Sequence, residues 1–243
     1  MCGRFTARLT WEQIHSLYNI TPLGPRQAEL DLKPRYNAAP TDVMPVCRLN
    51  RQGQREIAML KWGLIPYWAT DPKIGYRTIN ARAETVATAP AFREAFKRRR
   101  CLVPANGFYE WKKIGNGEKQ PYLVAMRDGS PFSFAGLWER WKKGEGSIET
   151  FTIITGEPNS LLAELHDRMP VILDPDEWDA WLTANDAAIL QAMLRPFPAQ
   201  LMTAYPVSKR VGNVRNDDPS LIEPMKPVGA PDDETYRTMR GHS

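Results

Sequence analysis

The sequence predicts a single α+β domain, a mainly antiparallel β-sheet system with helices at its periphery. Three observations predict it. From Cys101 onward, apolar stretches recur between Gly, Asn and Asp turns, spaced too closely for intervening helices. Helical spacing of apolar residues is limited to short segments. No internal repeat and no linker divides the 243 residues into two cores, and 42% hydrophobic with 25% charged residues is ordinary globular composition.

Taken in order, Thr10 and Gln13 resemble a capping box, and Trp11, Ile14, Leu17 and Tyr18 follow at helical spacing. A loop through Pro34 leads to "RYNAAP" (Arg35 to Pro40). Asp42 to Leu49 and Glu56 to Leu64 read as two strands joined by a polar turn at Arg51-Gln52-Gly53. Pro90 suits a first helical position, with Phe92, Ala95 and Phe96 on one face and Lys97-Arg98-Arg99-Arg100 at the end. "CLVPANGFYEW", "PYLVAM", "PFSFAGLW", "TFTIIT" and "MPVIL" read as strands. Between the last two, Asn159 caps a short helix ending near His166. Asp174-Pro175 and "NDAAILQAML" open two more helices, and "LMTAYPVS" is a last strand. The domain is expected over residues 1–224, with 225–243, rich in Pro, Asp and Gly, as a flexible tail.

Composition narrows the function classes. The three cysteines, Cys2, Cys47 and Cys101, cannot pair completely and match no zinc spacing, so a reducing cytoplasm is expected and no metal. The first residues lack the apolar run of a signal peptide, and no stretch approaches the ~20 apolar residues of a membrane span. A net charge of +4 is too mild to declare a nucleic-acid partner by itself. The basic run Lys97 to Arg100 fits either a phosphate contact or a solvated helix end whose cations suit the dipole. Eight tryptophans and 21 prolines, often adjacent as in Pro66-Tyr67-Trp68, imply rigid, shaped loops.

Candidate chemistry begins at "MCGRF". If Met1 is removed, Cys2 carries a free α-amine and a thiol on adjacent carbons. The amine, with a reference pKa of about 7.7–8.0, attacks aldehydes, and the thiol then closes a five-membered thiazolidine. Read by itself, Cys2 is also accounted for as a small residue behind Met1. In "INARAET", strand alternation puts Asn80, Arg82 and Glu84 on one face, as a solvated stripe or as the floor of a site. Glu110 stands between Tyr109 and Trp111 in an apolar strand, either facing outward or buried with a raised pKa that suits proton transfer. His166, beside Asp167 and Arg168, is a proton carrier or a structural histidine. Tyr67, Trp68 and the rings around "RYNAAP" are core packing or platforms for unpaired bases.

In this order, "MCGRF", "RYNAAP", "WGLIPYW", "INARAET", "CLVPANGFYEWKK", "TIITGEPN", "LHDRMPVIL" and "NDDPSLIEP" resemble the SRAP family, the SOS-response-associated peptidases, from Met1 to about Pro224. The resemblance implies an SRAP-type domain with a barrel-like core. It implies a sensor of abasic sites in single-stranded DNA that crosslinks itself to the lesion as a thiazolidine, with associated Schiff-base and abasic-site lyase chemistry. Carried over, Cys2, Asn80, Glu110 and His166 are catalytic. Arg4 and Arg82 hold phosphates, and Asn37, Pro40, Tyr67, Trp68 and Trp111 line or wedge the DNA channel. Tyr67 stands where some relatives have tryptophan, and Gly212 where asparagine is common. The implied partner is single-stranded DNA with abasic sites, bound by a cytoplasmic monomer that joins the nucleoid at damage, with no membrane and no cofactor. Two other readings stay open, an N-terminal-nucleophile peptidase and a non-covalent binder of modified or unpaired DNA.

Overall fold

The computed structural model describes residues 2–20, 32–115, 117–143 and 146–226, and β-strands dominate them. The first half runs β1 (Phe5–Ala7), α1 (Trp11–Leu17), β2 (Arg35–Ala38), β3 (Val43–Leu49), β4 (Arg55–Trp62), β5 (Asn80–Arg82) and α2 (Arg93–Arg98). The second half runs β6 (Arg100–Ala105), β7 (Gly107–Ile114), β8 (Glu118–Met126), β9 (Phe132–Lys143), β10 (Gly146–Gly156) and α3 (Ser160–Ala163). It continues with β11 (Met169–Pro170), β12 (Ile172–Leu173), α4 (Trp178–Thr183), α5 (Ala187–Ala192) and β13 (Met202–Pro206). The expected α+β class holds.

Five strands close on themselves in the order β4–β3–β6–β9–β10 and back to β4, which is the barrel-like core; β5, β11 and β12 extend it. A second sheet, ordered β13–β8–β7–β1–β2, lies beside it. Alternation along the barrel strands feeds two cores. On β6, Cys101 and Val103 join Phe5, Trp62, Phe108 and Phe134 between barrel and second sheet. Leu102 points the other way, to Ile14, Tyr18, Phe96 and Trp181 beneath the helices. In the first core Phe5 packs on Trp62 with ring centroids 5.1 Å apart and edge-to-face geometry. Each such buried ring contributes ~2–3 kcal/mol of apolar transfer.

Several local expectations meet the structure directly. Thr10 and Gln13 form the reciprocal capping box of α1, and the Asn159 side chain accepts from Leu162 N to cap α3. Others are corrected. "CLVPANGFYEW" is two strands in different sheets, because Asn106 breaks the run by donating its N–H to Thr6 O and accepting from Arg8 N. "MPVIL" divides at Val171, so that β11 pairs with β10 and β12 with β9. "INARAET" is a strand only through Arg82, and Glu84 lies in the turns that follow. β5 runs parallel to β10, as does β4, while the other pairings among the described residues are antiparallel, as a mainly antiparallel system requires. The second helix starts at Arg93 rather than Pro90, since Thr85 O takes the Ala89 N–H in a preceding turn. The tail from 227 onward and residues 21–31 of the first loop lie outside the described residues.

The basic run also resolves. Arg100 is buried, and its five N–H groups donate to Phe96, Lys97, Trp181, Leu182 and Ala184 carbonyls. It therefore ties together the carbonyl ends of α2 and α4. Arg99 pairs with Glu139 at 2.7 Å.

Candidate active site

The start of the chain is threaded between β7 and β2. Phe5 stands opposite Phe108, and Tyr109 N donates to Arg4 O at 3.0 Å. Continuing that antiparallel register carries Gly3 alongside Glu110 and Cys2 alongside Trp111. Cys2 is fully buried in the core shared by the barrel and second sheet, and the partly buried Ile79, the residue before Asn80, packs against that core.

Glu110 is 2% exposed, which decides between its two sequence readings in favour of the buried one. Burial raises its pKa to about 7, although the positive charge at the chain's amino terminus opposes the rise. The same carboxylate helps to raise the Cys2 thiol far above the ordinary cysteine range, burial being the larger cause. At neutral pH the sulfur is thus a thiol, while the carboxyl exists in both protonation states.

His166 closes the loop after α3. Its Nδ1 accepts the Arg168 backbone N–H at 3.0 Å, so the neutral ring carries its proton on Nε2. Asp167 Oδ1 lies 2.9 Å from the same Nδ1, a contact that becomes an ion pair only when the ring is protonated. Burial, aided by the positive amino terminus, holds His166 below its usual pKa, so the ring is neutral at pH 7. Glu110 acts electrostatically on Cys2, and Asp167, the neighbour of His166, acts on Glu110, so the three lie within one electrostatic neighbourhood.

Asn80 opens β5, opposite Ile153 of β10. Its amide nitrogen donates to Ile79 O at 3.0 Å, while its Oδ1 is buried and accepts no hydrogen bond from the described residues. An unpaired buried acceptor is costly unless a ligand or terminus supplies the donor. The loop of His166 is fixed to the end of β5 by Arg168, which grips both oxygens of Glu84 at 2.6 and 3.0 Å and donates to Thr155 O. The sequence reading missed this clamp. Its only signal was the polar stripe that placed Glu84 on a strand face. Among the described residues no group of three His, Cys, Asp or Glu side chains stands where a metal could be held.

The residues expected along DNA divide into two sets. Arg82 is exposed, and Tyr67 and Trp68 are exposed on the loop after β4, with Trp68 Nε1 donating to Pro90 O. Pro40 and Trp111 are half-buried. Asn37, by contrast, is fully buried. Its amide donates to Val211, Asn213 and Asn216 carbonyls, and its Oδ1 accepts from Arg4 at 2.9 Å. Arg4 also donates to Val211 O and Gly212 O, so that three of its five N–H groups are bonded to described residues. Asp217 completes the anchor by accepting from Arg35 and from the Tyr36 and Asn37 N–H groups.

Known proteins resemble this chain over most of its length. A family model described as SOS response associated peptidase (SRAP) matches residues 1–214. The chain is 42% identical over 227 residues to the abasic site processing protein YoqW of Bacillus subtilis, covering 92% of this chain and 99% of that protein. It is 33% identical over 244 residues to the abasic site processing protein YedK of Escherichia coli, covering 93% and 100%. A crystal structure from Bacteroides thetaiotaomicron shares the fold with a TM-score of 0.83 at 28% identity, over 93% of this chain and all of that one. A match that begins ahead of Cys2 and runs beyond His166 to the loop pinning Arg4 takes in the whole site, and the chain belongs to the SOS response associated peptidase (SRAP) family.

Proposed function

We propose that this protein captures abasic sites in single-stranded DNA, using Cys2 as an N-terminal nucleophile once Met1 has been removed. The observation that carries the reading is the gathering of a thiol, a carboxyl group titrating at about 7 and a neutral imidazole around the first residues of the chain. The names of the relatives, abasic site processing proteins, support the same substrate.

The steps balance as follows. The ring-opened abasic sugar presents an aldehyde at C1′. The unprotonated Cys2 amine adds to that carbon and gives a carbinolamine, with ionised Glu110 accepting the proton that the amine sheds. His166 relays a proton to the departing hydroxyl, water leaves and an imine remains. The Cys2 S–H adds across the C=N bond, sulfur to carbon and proton to nitrogen, and the thiazolidine closes. The net change is loss of one water. Asn80 Oδ1 accepts a hydrogen bond from the Cys2 amine and so aims it. The raised thiol pKa favours this order, with amine first and sulfur second. Because an imine α to the C2′ hydrogens permits β-elimination, weak strand-cleaving lyase activity accompanies capture.

Incubation with a single-stranded oligonucleotide bearing one abasic site, followed by denaturing electrophoresis, tests the reading. A heat-resistant shifted band is expected from the wild type and none from Cys2→Ala. Borohydride should still trap the imine of that variant through its amine. A heat-resistant band from protein that retains Met1, verified by intact mass, would overturn it. Cleavage of a peptide with no band would leave the peptidase chemistry of the family description instead.

A further inference from the structure

The loop between β4 and β5 makes a second cavity that the capture chemistry does not use. Its base is a contact between two glycines. Gly63 has φ +117°, and a Cβ there would fall 2.5 Å from Gly75 O, so only glycine lets the loop fold back on itself. The resulting cleft, about 180 Å³, is walled by Thr41, Trp62, Tyr76 and Ile148, with Lys61 and Lys73 at its rim. Tyr76 is 65% exposed and Ile148 39%. Neither lysine enters an ion pair with a described residue.

That last point, with the exposed Tyr76 ring, separates it from the larger cleft beside Arg48, Arg99 and Arg140. There Glu56, Glu139 and Glu149 neutralise those three guanidiniums. Arg51 and Arg98 also line that cleft without an ion pair to a described residue, but its one ring, Trp138, is already covered by Arg48 at 4.2 Å and offers no free face to a base. Position matters as well. Trp62 packs on Phe5, three residues from Cys2, and Thr41 directly follows Pro40, with its N–H bonded to Trp62 O. The cleft is thus tied to the first strand through Trp62, and the loop that forms it ends at Asn80.

We infer that this cleft holds an unpaired nucleobase of the same strand that carries the lesion, the base stacking on the Tyr76 ring with Lys61 and Lys73 at its flanking phosphates. The inference rests on the proposed single-stranded substrate. The volume lies below the ~300 Å³ at which drug-sized pockets begin, and so suits one planar ring system. A lone aromatic face with unpaired cations is the arrangement that takes bases without regard to their identity.

The test uses the full chain and a single-stranded oligonucleotide with a tetrahydrofuran abasic analogue, which has no aldehyde and cannot be captured. 2-Aminopurine is placed in turn at each of the three positions on either side of the analogue. With wild-type protein, its fluorescence should be quenched at one position, as stacking requires. Tyr76→Ala should restore that signal and weaken binding about fivefold to tenfold, whereas Tyr76→Phe should keep both. Lys73→Gln should weaken binding alone. Capture of a true abasic site at saturating DNA should persist in all three variants, since none touches Cys2. If Tyr76→Ala leaves every 2-aminopurine signal and the affinity unchanged while wild type still captures abasic DNA, the cleft holds no base and only this inference falls. If wild type neither binds the analogue nor captures the true lesion, the proposed function falls with it.

Discussion

At the scale of single residues, Glu110 determines how the site behaves with pH. Its folded pKa of about 7 exceeds its reference value of 4.5 because burial disfavours the carboxylate. Adduct formation needs the ionised form, so its rate should rise with pH through a limb near 7. Glu110→Gln should remove that limb, leave only the amine's near ~8, and slow capture at pH 7 by about 10²-fold. The same group makes an opposite prediction for stability. A carboxyl with a raised folded pKa contributes stability that is fully present below about 4.5 and lost as pH rises through about 7. Denaturant melts should find Glu110→Gln gaining roughly 2–4 kcal/mol on wild type between pH 4.5 and 8. A variant that is slower yet no more stable at high pH would mean that Glu110 is not held under strain by burial.

Secondary-structure elements show where the sequence speaks and where it is silent. Caps are local, so Thr10 with Gln13 and Asn159 announced α1 and α3 from neighbouring residues alone. Pairing is not local. Nothing in "INARAET" reveals that its strand lies parallel to β10, because the partner is seventy residues away. Nor does an apolar run show that Asn106 turns the chain from one sheet into another. Arg100 is the sharper example, a cation that composition assigns to a charged surface run but that packing takes inside. Its planar fork meets five carbonyls, and burial lowers its pKa to about 10. Lysine offers three donors from one point and cannot reach both helix ends. Arg100→Lys should therefore cost about 2–4 kcal/mol, seen as a lower urea midpoint at unchanged m-value, with crosslink yield per folded molecule unaltered. Equal midpoints would show that the helix ends are satisfied by other groups.

For the whole molecule, the site is legible as a list of residues but not as a place. Cys2, Glu110 and His166 are separated by 108 and 56 positions, and no spacing rule joins them; only the resemblance from Met1 to about Pro224 proposes them as one site. Charge tells the same story. Lys and Arg number 32 against 28 Asp and Glu, which by composition alone implies little. The structure sorts these charges, pairing Arg35, Arg48, Arg55, Arg99, Arg140 and Arg168 with carboxylates. Arg4 and Arg82, with Lys61 and Lys73 of the proposed cleft, are four cations that enter no ion pair with a described residue. About four phosphate contacts to a single strand give a slope of log K against log salt of roughly −0.7 per contact, or about −3. Binding of the tetrahydrofuran oligonucleotide should follow that slope, and Arg82→Gln should reduce its magnitude by about 0.7. A slope near −6 would require the strand to break the arginine–carboxylate pairs and spread over the barrel. The shallow slope instead makes stacking on exposed rings the larger part of recognition, which predicts that a fully paired duplex, whose bases have no free face, binds more weakly than the same strand alone.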